Sequence, residues 1–197
     1  MDQSWDSVAD AVQFTVPLNL SAFRERVPRT SRILEIGCGY GRVAAQLLDE
    51  GFKDVRGYDA APKMILRAKA QYPDIRFAVA DASALPEPDH SFDVVVVSAL
   101  LTCVPNPAKQ RGVVNEIQRV LRPEGAVHGV EFLRQAETTY SDGGLFNSRY
   151  GIPMWHFEAQ ELRALFAAFG GWSSWQLKVP SLSGRPADIL QFVAHAA

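Results

Sequence analysis

Residues 92–98 read Phe-Asp-Val-Val-Val-Val-Ser, and the four adjacent valines constrain the fold more than any other stretch of the chain. β-branched residues suit a strand, and a run with no polar break has no side to offer water. Such a strand belongs in the middle of a parallel sheet, covered on both faces. The flanking sequence alternates to match. "RILEI" (32–36), "DVRGYD" (54–59), "IRFAVAD" (75–81) and "GAVHGVEF" (125–132) read as strands. "GRVAAQLLDE" (41–50), "APKMILRAKAQ" (61–71) and "NPAKQRGVVNEIQRVL" (106–121) carry apolar residues at helical spacing. Gly51, Pro62 and Pro123 punctuate those helices. Alternation of this kind predicts a parallel sheet with right-handed crossovers and helices on both faces. After Phe132 the rhythm breaks. Residues 133–157 have no period and are rich in Gly, Ser, Tyr and Trp. "EAQELRALFAAFGG" (158–171) is an amphipathic helix closed by glycine, and "SSWQLKV" and "ADILQFVAHA" predict a closing pair of strands at one edge. Residues 1–30 read as a helical, semi-detached segment.

Ligands of an open α/β sheet bind beyond the carboxyl ends of the strands. The sequence places Glu35, Asp59, Asp81, Ser98 and Glu131 at the five strand ends. Four acids at one rim suit hydroxyls, an amine and a positive charge, whereas a pyrophosphate wants amides and cations. The turn after the first strand is Gly37-Cys38-Gly39-Tyr40-Gly41. Its third glycine comes one residue earlier than in a GxGxxG dinucleotide fingerprint. A carboxylate at Asp59 accepts both hydroxyls of a free ribose. Asp81 is placed to accept from an exocyclic amine, and the Ala82 N–H to meet a ring nitrogen. The ligand so described is an adenosine without phosphates, its charged tail lying over glycines that carry no side chain to obstruct it.

"LEIGCGYGRVA", "VRGYDAAPKMI", "FAVADASALP", "FDVVVVSALL" and "RVLRPEGAV", in this order, resemble the class I S-adenosylmethionine-dependent methyltransferases. The likeness spans roughly residues 30–132 and is nearest the small-molecule branch. It implies a doubly wound, mostly parallel, seven-stranded Rossmann-like α/β sheet with an antiparallel last strand. It also implies S-adenosyl-L-methionine as cofactor. Gly37, Cys38, Gly39 and Gly41 would then form the turn under its methionine, Cys38 through its backbone. Glu35 would meet the amino group, Asp59 the ribose, Ala60 and Met64 the faces of the adenine, and Asp81 and Ala82 its edge. Ser98 would face the methyl donor. The run Ser98-Ala99-Leu100-Leu101 lacks the xPPY motif of enzymes that methylate base or amide nitrogen.

Plainer roles exist for several of these residues. Asp59 and Asp81 suit helix caps, Glu35 an ion pair with Arg32, and Ser98 a bystander's place. Among the histidines, His90 and His195 read as solvated and His128 as a satisfied core residue. His156 in "RYGIPMWHF" is the candidate base. Tyr140, Tyr150 and Trp155 either line an acceptor pocket, Tyr150 with a catalytic part, or pack residues 133–157 on the sheet. The chain so read is one domain, 1–197, with an N-terminal segment (1–30) and an acceptor-site insertion (133–157). A charge of −2 with no basic run offers no footprint for nucleic acid, and no apolar run is long enough for a membrane helix. Cys38 and Cys103 have no metal-ligand spacing and read as reduced thiols of a cytoplasmic protein. The expected partner is a small-molecule acceptor, covered by the N-terminal segment and residues 133–157. The rival readings are a non-catalytic cofactor-binding scaffold or sensor, an NAD(P)-dependent oxidoreductase, and a methylase of protein or RNA.

Overall fold

A computed structural model describes residues 4–180 and 185–196. At its centre is a seven-stranded sheet built from β1 (Arg32–Ile36), β2 (Asp54–Asp59), β3 (Arg76–Val79), β4 (Phe92–Ser98), β5 (Leu121–Phe132), β8 (Gly170–Pro180) and β9 (Pro186–His195). A hairpin of β6 (Leu145–Asn147) and β7 (Pro153–Trp155) stands apart from it. The strand order is β3-β2-β1-β4-β5-β9-β8. The first five strands run parallel, and β9 is antiparallel to both its neighbours. The mostly parallel sheet with an antiparallel last strand is thus present.

The four valines explain the layering. Val94 and Val96 point into a core with Ile33, Leu47, Phe52 and Ile65. Val95 and Val97 point into the opposite core with Leu34, Val113, Ile117 and Phe166. Alternate side chains of a strand leave on opposite faces, so each layer takes two. Helices α3 (Arg42–Asp49) and α4 (Pro62–Gln71) cover the first face, and α5 (Pro107–Val120) and α6 (Ala159–Leu165) the second. Asn106 caps α5 by accepting from the Ala108 and Lys109 N–H groups. α6 opens with a reciprocal capping box between Glu158 and Glu161.

The N-terminal segment departs from expectation. Among its described residues it is helical only over α1 (Trp5–Val8) and α2 (Leu20–Arg26), and it is docked on the body of the fold. Residues 12–19, with Thr15, Val16 and Pro17, favour extended backbone. Val12 and Val16 are buried, Arg67 donates to the Ala9 and Val12 carbonyls, and Gln191 donates to the Pro17 carbonyl. The third strand is also shorter than its sequence suggests. β3 stops at Val79, so Asp81 lies two residues beyond it in a turn that bridges to Ala84.

The excursion after β5 closes on itself. Phe157 donates to the Phe132 carbonyl and Arg134 to the Phe157 carbonyl, so its two ends meet at the sheet. The Arg134 guanidinium pairs with Glu158 and Glu161, tying that junction to the start of α6.

Candidate active site

The carboxyl ends of the strands open into a cavity of about 930 Å³. Glu35, Gly37, Cys38, Gly39, Asp59, Ala60, Met64, Asp81, Ala82 and Ser98 all border it, as do Tyr150 and His156 from the excursion. Gly41 does not. A Cβ at Gly41 would stand 2.6 Å from the Phe77 ring, beneath the turn, and the residue caps α3 with φ +84°.

The glycine turn is set by the chain itself. Gly37 and Gly39 have φ of +70° and +52°, the left-handed region that side chains resist. A Cβ on Gly39 would lie 2.8 Å from Phe14 Cε2, so what presses on this backbone is the N-terminal segment. Phe14 stacks on Tyr40 with ring centroids 5.4 Å apart, and the Phe14 N–H donates to the Tyr40 hydroxyl. Trp5, Phe14, Thr15 and Val16 therefore wall the cavity beside the glycines, in keeping with the expectation that the N-terminal segment covers the site.

Asp59 braces the turn. Its Oδ2 accepts from the Gly39 N–H and its Oδ1 from the Ala61 N–H, both at 2.8 Å. Each oxygen keeps a lone pair for a further donor. Burial raises its pKa above the ordinary carboxylate value. Glu35 is 2% exposed, and its Oε2 accepts from the Ala44 N–H at 2.9 Å. Arg32, the suggested ion-pair partner, binds Asp54 instead. Burial pushes the Glu35 carboxyl up to about 8, against the opposing pull of the Ala44 N–H and the Arg42 charge. A buried acid on a cavity wall is matched by an incoming positive charge, which would hold it ionised. Asp81 differs. Its Oδ1 accepts from the Ser83 N–H and hydroxyl, which hold its pKa below the ordinary value. The acids at Glu35 and Asp59, the glycines of the turn that border the cavity without a side chain and the apolar Met64 fit a cationic nucleoside.

Glu131 is the acid that the rim does not receive. It is fully buried and accepts from the Leu101 and Thr102 N–H groups and the Thr102 hydroxyl, pinning the short 3-10 turn Leu101–Cys103. That turn follows Ala99, whose φ of +55° is unusual for a residue with a Cβ. Ala99 and Leu100 border the cavity, and nothing in their side chains marks them in the sequence. His128 packs edge-on against Phe23, His195 is exposed, and the exposed His90 binds the Leu121 carbonyl through Nδ1. Trp155 and Tyr140 do not border the cavity; Trp155 packs against the larger core, and Tyr140 sits behind His156.

Residues 33–125 match the family model described as "Methyltransferase domain". Over this stretch, just under half of the chain, the sequence is similar to the class I S-adenosylmethionine-dependent methyltransferases. Two curated relatives show the breadth of the family. The chain is 32% identical over 143 residues to EEF1A lysine methyltransferase 4 of Bos taurus, covering 63% of this chain and 56% of the relative. It is 38% identical over 101 residues to the demethylmenaquinone methyltransferase of Beutenbergia cavernae, covering 51% and 40%. The chain thus spans about half the length of the curated relatives it matches. A crystal structure of a SAM-dependent methyltransferase from Methanosarcina mazei superposes with a TM-score of 0.78 at 24% identity, covering 88% of this chain and 96% of that one. The 1,6-didemethyltoxoflavin-N1-methyltransferase of Burkholderia thailandensis, crystallised with 1,6-didemethyltoxoflavin and S-adenosylhomocysteine, gives 0.66 at 21% identity, covering 100% and 80%. These two structures share the seven-stranded fold.

Proposed function

We propose that the protein transfers a methyl group from S-adenosyl-L-methionine to a small molecule held in the same cavity. The observation that carries this reading is Glu35, a buried acid with no salt bridge among the described residues, on the wall of a cavity that continues to Tyr150 and His156. In this reading Glu35 takes the ammonium of the cofactor and Asp59 the ribose hydroxyls. Ala60 and Met64 flank the adenine, while Asp81 and the Ala82 N–H read its edge. Gly37, Cys38, Gly39 and Ser98 let the cofactor approach their backbone, and Gly41 keeps the turn in shape. When bound, S-adenosyl-L-methionine supplies a methyl on a sulfonium, which an aligned nucleophile displaces in line. The protein's share is alignment and exclusion of water, worth several kcal/mol when reacting atoms are held near contact. Phe14 and Trp5 on one side and residues 133–157 on the other supply that enclosure.

Residues 1–197 act as one methyltransferase domain, with 133–157 as the acceptor-site insertion. A small acceptor is favoured over a protein lysine because the cavity, at about 930 Å³, is of the size that encloses two small molecules and is walled by the chain's own segments. The free thiols of Cys38 and Cys103 fit a reducing compartment such as the cytoplasm. The test pairs calorimetry with S-adenosylhomocysteine and transfer of labelled methyl from S-adenosylmethionine to a cell extract, for the wild type and Asp59→Asn. The proposal expects binding, and label in the small-molecule fraction, both lost in the variant. Label in protein would move the acceptor to the lysine class. Cofactor binding without any labelled product would leave a scaffold or sensor.

A further inference from the structure

His156 sits where the excursion returns to the sheet, 7% exposed and bordering the cavity. Phe146 lies 4.2 Å from its ring centroid and Phe132, at 5.4 Å, stacks on it. Its Nδ1 is 2.9 Å from the Tyr140 hydroxyl, which lies behind it and away from the cavity. That hydroxyl already accepts from the Gln135 N–H at 2.8 Å. Gln135 is itself fixed, its side chain exchanging two hydrogen bonds with the backbone of Asp188 on β9. Among the described residues the Tyr140 hydroxyl has no hydrogen-bond partner besides the Gln135 N–H and His156 Nδ1, so the arrangement that uses the phenol proton donates it to Nδ1. A neutral imidazole whose Nδ1 accepts carries its own proton on Nε2. Nε2 has no protein partner among the described residues, yet it is not a buried unsatisfied atom, so it opens onto the cavity. Burial keeps the ring neutral, holding its pKa down at about 4.

We propose that His156 positions the methyl acceptor as a hydrogen-bond donor, its Nε2–H fixed by Tyr140 and aimed at a carbonyl or ionised oxygen on a flat, conjugated molecule. This rests on the methyltransferase reading of the same cavity. The ring cannot also serve as base, because the nitrogen that faces the cavity already holds a proton. An ammonium is a poor match, since it brings only donors to a donor. The aromatic walls select the rest of the ligand: Phe132, Phe146 and Met154 border the cavity around His156 and reward a planar apolar body.

Three measurements on the full chain test the assignment. Nitrogen-15 spectra of the imidazoles at neutral pH read the tautomer directly, and His156 is expected to carry its proton on Nε2 in the wild type, with a shifted population in Tyr140→Phe. The second compares 4-nitrophenolate with nitrobenzene, the same nitro-substituted ring without the phenolate oxygen, as probes. His156→Phe is expected to weaken 4-nitrophenolate about tenfold, the value of one hydrogen bond to a charged oxygen, and to leave nitrobenzene unchanged. His156→Gln, whose amide N–H replaces the donor, restores most of the loss. The third is S-adenosylhomocysteine affinity, expected to be the same in all three variants and the wild type. A proton on Nδ1, equal binding of the two probes by the wild type, or equal losses of both probes in His156→Phe would overturn the proposal. Failure of S-adenosylhomocysteine to bind the wild type would instead overturn the methyltransferase reading, while the spectra and the probe titration still judge His156.

Discussion

Substituting Gly39 by alanine should cost stability in two separable parts. The first is conformational. Gly39 has φ +52°, and a residue with a Cβ there costs about 1–2 kcal/mol. The second is steric. The new Cβ would stand 2.8 Å from Phe14 Cε2, and overpacking of that kind costs about 1–3 kcal/mol. Gly39→Ala is therefore expected to lose about 2–5 kcal/mol in urea denaturation. In a Phe14→Ala background the collision has no partner, so the same substitution should cost only the conformational part. The double-mutant cycle then gives a coupling of about 1–3 kcal/mol, well above the roughly 0.5 kcal/mol seen for independent sites. If residues 4–19 lift away instead of compressing, the cost shrinks and Gly39→Ala becomes sensitive to protease within that segment. Equal costs in both backgrounds, with no change in proteolysis, would refute the claim that the N-terminal segment rests on the glycine turn.

Asp59→Ala should strand the Gly39 and Ala61 N–H groups and lower stability by about 2–4 kcal/mol, besides weakening S-adenosylhomocysteine more than about tenfold; denaturation and calorimetry check the two parts. Stability should fall as pH rises from 6.5 to 8. Glu35 and Glu131 have folded values of about 8 and about 7 against an ordinary 4.5, so their contribution is complete below 4.5 and lost through 7 to 8. His128 and His156, lowered to about 4 from 6.5, oppose this only below 6.5, where their contribution is lost as pH falls. Denaturation midpoints across this range should decline less steeply in Glu131→Gln. Tyr40→Phe removes the acceptor of the Phe14 N–H, should cost about 0.5–1.5 kcal/mol, and should speed proteolysis within residues 4–19.

The sheet was legible because burial on two faces leaves a plain mark: the valines of β4 carry no polar interruption, and the flanking helices keep their spacing. The rim acids at Glu35, Asp59 and Asp81 were legible for a related reason, since the carboxyl end of each strand can be counted off. Glu131 shows the limit of such counting. Its carboxylate answers two backbone N–H groups about thirty residues away, and no spacing in β5 announces that. The N-terminal segment was misjudged because an extended run packs without a period, so Val12 and Val16 look like ordinary linker residues. The Tyr140–His156 contact was hidden for another reason. The two lie 16 residues apart, and only the hairpin of β6 and β7 brings them together.

The placement of β9 between β5 and β8 bears on how the molecule comes into being. Synthesis proceeds from the amino end, so β8 leaves the ribosome before the neighbour that joins it to the sheet. Until residues 186–195 emerge, the open edge of β5 offers bare amides and carbonyls to any passing strand. The nascent chain is thus most exposed to aggregation just before its sheet can be completed, and a stall in translation short of those residues would be more damaging than one after them.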